Sequence, residues 1–306
     1  MELTFAKLHG LGNDFIFVDD FTRTVELTDE QVAGLCDRHF GIGADGIILV
    51  RPGVSDGAAG YMHYINSDGS LAQMCGNGVR CTAKYLIDRG HVPAGATSLV
   101  VDTLAGPKPI SFEVDGAGRM TLATVDMGAP ILEPSHVPVN APADAVAPDG
   151  TPYAGAVTLE SPWGPFEFTC VSMGNPHAIC FIDDWGALPD SLFADPADKS
   201  LDTLLLDGIG AYFESHPAFP EKTNVEFATV GDNGIAMRVY ERGCGETLAC
   251  GTGACATNTA AHLTGRAGRE NKVNLRGGTL HIRWDDNDRI YMTGPAEESF
   301  SGTVTM

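Results

Sequence analysis

Apolar and polar positions alternate over residues 3–8 and 14–19, which predicts two half-buried strands around the turn HGLGN. The pattern changes at Thr28. With Gln31 it forms a capping box, and a helix is expected from there to about His39. GIILV at 46–50 is an unbroken apolar run and predicts a short buried strand; YMHYIN at 61–66 predicts another, closed by the turn SDGS. In MCGNGVRCTAKYLIDRG, Val79, Ala83, Leu86 and Ile87 fall at helical spacing, and Gly90 suits the position just past a helix end. That helix is expected to begin near Gly76 or Asn77, with Cys75 at its edge. Residues 98–127 predict three strands separated by AGPKP and DGAGR.

Residues 133–155 are rich in Pro, Ala and Asp with little periodicity, and read as a loop or linker near a domain boundary. FEFTCVSM and AICFID predict strands flanking GNPH. A helix near 200–214 and strands at 223–230 and 235–241 follow. ERGCGETLACGTGACATNTAAHL then repeats the earlier order of strand, Gly-rich turn, cysteine and helix, and 272–304 is antiparallel strand material. The repeat links Cys75-Gly-Asn-Gly to Cys250-Gly-Thr-Gly, roughly one domain apart. Two related halves, each with a cysteine at a helix start, suggest a pseudo-twofold arrangement around a cleft.

A length of 306 residues is consistent with two domains, and 43% hydrophobic residues suffice for two cores. No apolar run is long enough to cross a membrane, and the N-terminus lacks the layout of a signal peptide, so a cytoplasmic location is expected. Eight cysteines spread over such a chain suggest reduced thiols, and the absence of any CxxC pair removes zinc-ribbon and thioredoxin-type readings. Nineteen Lys and Arg against 40 Asp and Glu give a net charge of −21, which disfavours nucleic acid and anionic membranes as partners.

A cysteine at a helix N-terminus faces unpaired amides and the positive end of the helix dipole, both of which favour thiolate over thiol. Each CGxG segment therefore offers a reactive sulfur and a nest of N–H donors for a carboxylate. Two such segments could hold one carboxylate with a sulfur on each side of its α-carbon, a geometry suited to inversion. Cys36, Cys170 and Cys180 sit in regular patterns and read as packing, as do Cys81 and Cys255 inside their helices; Cys244 is ambiguous. Taken singly, His177 is a loop histidine, Glu241 with Arg242 a surface pair, and Asn13, Asn66, Asn175 and Asn224 turn residues. The GIGAD loop lacks the Lys and Ser/Thr of a P-loop.

Together, FAKLHGLGNDF, RHFGIGADG, NSDGSLAQMCGNGVRC, GNPH, TNVEF and ERGCGETLACGTGAC resemble the diaminopimelate epimerase family, in order and over nearly the whole chain. The resemblance implies an isomerase that interconverts LL- and meso-diaminopimelate for lysine and cell-wall precursor synthesis, with no pyridoxal phosphate or other cofactor and no metal. Cys75 and Cys250 match the two catalytic cysteines. His177 and Glu241 match groups that assist their proton exchange. Gly76, Asn77, Gly251 and Thr252 match the groups holding the reacting carboxylate. Asn13, Asn66, Asn175, Asn224, Glu241 and Arg242 match the substrate-binding set. The implied fold is α+β, with two pseudo-symmetric domains, each a curved, mostly antiparallel sheet around a central helix, and the active site in the cleft between them. The expected division is 1–128 plus 291–306, carrying Cys75, and 129–290, carrying Cys250. The expected partners are a small amino-acid substrate and a second copy of the chain, as a homodimer. Stretches 133–155 and 185–222 look longer than the usual core. A same-fold alternative is a racemase for another amino or imino acid such as proline, whose small substrate has no distal charged end for Arg242 and the four asparagines; a different-class alternative is a phenazine-type isomerase, which resembles this fold but does not use two opposed cysteines. A non-catalytic thiol or metal-binding protein is a third; the cysteine spacing suits it poorly.

Overall fold

A computed structural model describes residues 2–305. The chain folds as two compact units. One runs to Asp126 and is taken up again at Thr293; the other is Met127–Met292.

In the first unit, β1 (Glu2–Gly10) and β2 (Asn13–Asp19) form an antiparallel hairpin. It turns at Leu11 and Gly12, with φ of 57° and 87°, a left-handed pair that matches the twist of the strands. Helix α1 (Asp29–Cys36) starts at the Thr28–Gln31 capping box. It stops before the expected His39, because Asp37 is extended and its carboxylate accepts from the amides of His39 and Phe40. β3 (Gly46–Arg51) lies parallel to β2, and β4 (Gly60–Asn66) antiparallel to β3. Helix α2 (Gly76–Asp88) then leads to β5 (Ser98–Thr103), parallel to β4. β6 (Gly106–Val114) and β7 (Met120–Gly128) complete an antiparallel run. GPKP is part of β6 and not a break. Pro107 and Pro109, two residues apart, direct their missing donors to the same side, and pairing with β7 begins only at Ile110.

The second unit opens with a small hairpin, β8 (Ala145–Val146) and β9 (Pro152–Tyr153). The stretch 133–155 is therefore not a bare linker: Val137, Val139 and Ala154 are buried in this unit's core with Phe168, Phe213 and Phe227. β10 (Val157–Leu159), β11 (Phe166–Ser172) and β12 (Pro176–Phe181) pair antiparallel in sequence. Helix α3 (Leu206–Glu214) crosses to β13 (Asn224–Gly231), parallel to β12. β14 (Gly234–Glu241) and β15 (Gly245–Thr247) turn back antiparallel. Helix α4 (Gly251–Leu263) precedes β16 (Glu270–Leu275), which meets β14 in parallel, and β17 (Gly278–Trp284) follows antiparallel. The chain continues through β18 (Ile290–Gly294) into β19 (Glu297–Thr305), which pairs with β1 in the first unit.

Both units share one frame: strand, helix, parallel strand, antiparallel strand, helix, parallel strand. Each parallel pair marks a helical crossover, which parallel strands need for their connection. The second helix of each frame is the central one. Gly76–Ala83 of α2 are all buried, as are Gly253–Ala261 of α4. A helix buried on every face needs small side chains and internally satisfied polar ones. The Thr82 hydroxyl donates to the Gly78 carbonyl and the Thr259 hydroxyl to the Cys255 carbonyl, each one turn back. The fold is α+β, and no helix among the described residues is long and apolar enough to cross a membrane.

Candidate active site

Cys75 is itself the N-cap of α2, in extended conformation, and its Sγ accepts from the Gly78 amide at 3.4 Å. A sulfur stands where a Ser, Thr or Asp oxygen usually caps. Sγ lies 3.5 Å from Asn13 Oδ1 at the start of β2, placed as a thiol donor. Asn77 Nδ2 donates to the same oxygen at 3.1 Å, and Asn13 Nδ2 donates to Asp45 Oδ2 at 2.6 Å. Asp45 is held by Arg38, which also grips Asp14, and Lys7 reaches Asp14 at 2.7 Å. Burial alone would raise the Asp14 carboxyl, but Arg38 and Lys7 outweigh it and hold the pKa at about 2. Arg80, fully buried, donates to Asn77 Oδ1 at 2.9 Å and to the Gly76 and Pro295 carbonyls. Asn66 closes β4 and donates to Ser70 Oγ at 3.0 Å.

Cys250 repeats the arrangement. It is the N-cap of α4, and its Sγ accepts from the Gly253 amide at 3.4 Å. Thr252 Oγ1 lies 3.5 Å from the sulfur, and Asn175 Nδ2 donates to that hydroxyl at 3.3 Å. Asn175 Oδ1 faces His177 Nε2 at 3.2 Å, and His177 Nδ1 lies 2.6 Å from Glu226 Oε1. His177 and Glu226 are both fully buried. Glu241, at the end of β14, accepts from the Thr247 hydroxyl. Asn224 spends its amide on backbone: it donates to the Pro176 carbonyl at 2.7 Å and accepts from the Arg242 amide at 3.0 Å. The Arg242 side chain is exposed and donates to the Glu221 carbonyl at 2.9 Å. Gly243 is anchored through its amide to the buried Glu214 carboxylate at 2.8 Å.

Within the first unit, then, Asn13, Cys75, Gly76 and Asn77 gather at one helix start, and Asn66 ends the strand before it. Within the second, Asn175, His177, Cys250, Gly251 and Thr252 gather at the other, with Asn224 and Arg242 on the neighbouring turn. The expectation of a lowered thiol pKa does not hold for Cys250. Its burial pushes the thiol well above the usual value, the neighbouring Glu241 pushes the same way, and the Thr252 and Gly253 hydrogen bonds only partly oppose them. The packing cysteines also stay protonated: burial drives Cys81 and Cys170 to about 12 and Cys36 to about 11. Among the residues of these networks that escaped the sequence reading are Asp45, Arg80 and Glu226. Glu226 left a usable signal, an acid set between the apolar Val225 and Phe227 in the stretch TNVEF.

A family model described as diaminopimelate epimerase matches residues 5–133 and 169–298. The chain is 41% identical over 305 residues to the diaminopimelate epimerase of Leptospira biflexa, covering 99% of each. It is 45% identical over 303 residues to that of Desulfitobacterium hafniense, covering 98% of this chain and 97% of the relative. It is 43% identical over 304 residues to that of Methanococcus maripaludis, covering 99% of each. Among solved structures, a phenazine biosynthesis protein of the PhzF family from Bacillus anthracis superposes with a TM-score of 0.66 at 16% identity, over the whole of both chains. A hydroxyproline epimerase from Agrobacterium vitis gives 0.64 at 14% identity, covering 99% of this chain and 92% of that one. At such identities these two structures speak for the fold alone.

Proposed function

The chain belongs to the diaminopimelate epimerase family, and from that premise we propose that it inverts one α-carbon of 2,6-diaminopimelate, LL to meso and back, with Cys75 and Cys250 as the two proton carriers. The observation that carries this reading is the pair of sulfur-capped helix starts, Cys75 on α2 and Cys250 on α4, each in the same extended N-cap geometry with the sulfur 3.4 Å from the third amide.

Inversion needs a base on one face of the carbon and an acid on the other. In this reading one sulfur, as thiolate, takes the α-hydrogen as a proton. The electron pair left behind spreads onto the carboxylate, where the amides of Gly76, Asn77, Gly251 and Thr252 stabilise it as an oxyanion hole would. The second sulfur, as thiol, returns a proton to the opposite face. Each turnover exchanges the roles of thiol and thiolate, and the reverse reaction restores them. The scheme calls for no pyridoxal phosphate or metal. His177 and Glu241 assist the sulfurs, and Asn13, Asn66, Asn175, Asn224, Glu241 and Arg242 bind or frame the substrate. Arg242 suits the distal carboxylate, because its planar fork binds such a group through two donors.

We also propose a cytoplasmic homodimer. Phe40, 95% exposed, and Phe300, half-exposed on Phe5, are apolar surface that a second copy would cover. Sedimentation of the purified protein tests the assembly. For the reaction, Cys75→Ala and Cys250→Ala should each abolish turnover of LL-diaminopimelate in the folded protein. A Cys75→Ala enzyme with normal turnover would end the two-base reading.

A further inference from the structure

The hydrogen bonds behind Cys250 form one continuous chain: Glu226 to His177 to Asn175 to Thr252 to the sulfur, with separations of 2.6, 3.2, 3.3 and 3.5 Å. Its polarity can be worked out link by link. Asn175 donates its Nδ2 hydrogen to Thr252, so its Oδ1 faces His177, and an amide oxygen only accepts. His177 Nε2 therefore carries a hydrogen. On the other side of the ring, a bare Nδ1 and a bare carboxylate oxygen at 2.6 Å would repel, so a proton lies between them. Glu226 Oε2 is buried with no hydrogen-bond partner among the described residues, a setting that a full carboxylate charge tolerates badly. The pair thus holds two protons and is neutral overall. Thr252 Oγ1 accepts from Asn175, and once Cys250 is a thiolate, with no hydrogen to give, the hydroxyl is the donor across the 3.5 Å to its Sγ.

The shared frame of the two units shows that the fold does not demand this pair. Phe15 pairs with Gly46 across β2 and β3, as His177 pairs with Asn224 across β12 and β13. Two residues on, Ile48 and Glu226 occupy the same place beneath a helix start. A Cβ on Gly78 would meet Ile48 Cδ1 at 3.2 Å, and one on Gly253 would meet Glu226 Oε1 at 2.7 Å. Phe15 and Ile48 are fully buried. One cysteine helix therefore rests on an apolar pair and the other, on the same frame, on a proton-holding pair.

We propose that Glu226 is a positioning residue of the Cys250 half-site: with His177 it holds a proton that orients Asn175 and makes the Thr252 hydroxyl a donor to the Cys250 sulfur. That donor supports the thiolate each time Cys250 has given up its proton. Burial raises the Glu226 carboxyl, in keeping with a protonated pair. The other ionisable groups facing the pair are Glu241 from β14, Cys250 from α4 and Cys170 from β11.

The inference rests on the proposed role of Cys250, and the test separates the two. Alkylation of Cys250 by iodoacetamide, followed against pH by peptide mass spectrometry in the full-length protein, is read without turnover; kcat and KM are measured alongside. In Glu226→Gln the amide NH2 supplies the hydrogen to His177 Nδ1, so the Cys250 profile should match wild type and kcat should be largely kept. In Glu226→Ile the donor chain is broken. The profile should move to higher pH, and kcat should fall roughly tenfold to hundredfold, the scale of one hydrogen bond to a charged group, with little change in KM. Should Glu226→Ile not fold, His177→Phe with Glu226→Ile copies the pair of the other half, and Glu226→Gln still decides. A Glu226→Gln profile moved to lower pH would show a bare carboxylate and overturn the proposal, as would an Ile variant unchanged in both profile and kcat. Turnover that survives Cys250→Ala would instead fail the functional reading and leave the alkylation result to judge Glu226.

Discussion

Replacing Gly253 with Ala sets a helix preference against a collision. Ala is better than Gly inside a helix by about 1 kcal/mol. The new Cβ, however, would stand 2.7 Å from Glu226 Oε1 and 3.3 Å from Cys250 Sγ. Glu226 cannot swing aside, because it is fully buried and bound to His177 at 2.6 Å. Overpacking of this kind costs about 1–3 kcal/mol, so after the helix gain the net destabilisation should reach up to about 2 kcal/mol, a fall of up to roughly 8 °C in Tm for a unit of this size. Because the collision disturbs both the acid and the sulfur, kcat should fall at least about tenfold. Gly78→Ala is the control on the same frame. Its Cβ would meet Ile48 Cδ1 at 3.2 Å and Met62 Sδ at 3.5 Å, flexible apolar ends that can yield, and Cys75 Cβ at 3.4 Å, an ordinary van der Waals contact. Its Tm should stay within about 2 °C of wild type, the helix preference offsetting the crowding. Thermal melts of both variants and steady-state kinetics make the comparison. A Gly253→Ala protein that melts at or above wild type with unchanged kcat would refute the reasoning.

Asp14 gives a pH-dependent prediction. Its pKa of about 2 in the folded chain lies below the roughly 3.9 of an unfolded Asp. The stabilisation is therefore complete above about pH 5 and lost as pH falls toward 2. Asp14→Asn should cost about 1–2 kcal/mol at neutral pH after allowance for solvent screening, and urea titrations at pH 7 and pH 3 should show the difference between variant and wild type shrinking at the lower pH. Thr247→Val removes the hydroxyl that donates to Glu241 and should lower kcat by roughly threefold to tenfold; unchanged kinetics would argue against a role for Glu241 orientation. Arg242→Lys should lose far more kcat/KM toward diaminopimelate than Cys244→Ala, and comparable losses would remove Arg242 from the distal carboxylate.

The parts of the structure that were legible in the sequence are those where local chemistry decides the outcome. The Thr28–Gln31 capping box, the apolar run at 46–50 and the two CGxG helix starts each carry their own signal and appear where expected. The misreadings arose where distant contacts decide. α1 ends early because Asp37 captures two amides beyond it. GPKP joins β6 because Pro107 and Pro109 lie at positions whose missing N–H falls on the side where pairing with β7 has not yet begun, and 133–155 is ordered because Val137, Val139 and Ala154 reach the core. At the site, the helix-start argument located both sulfurs but misjudged the Cys250 thiol. The dipole and amides at α4 were visible in the pattern, whereas the burial of the sulfur and the neighbouring Glu241 of β14 depend on distant parts of the chain.

The account turns on two sulfurs handling the proton separately, and isotope placement during the first fraction of a turnover tests that most directly. LL-diaminopimelate is incubated with the purified enzyme in deuterated water, and substrate and product are read by NMR before the reaction has gone far. With a separate base and acid, the meso product carries deuterium at the inverted α-carbon, while the unreacted LL substrate keeps its hydrogen. Deuterium entering the unreacted substrate as fast as it enters the product would mean that a single group both removes and returns the proton, and would contradict the assignment of Cys75 and Cys250 as a pair.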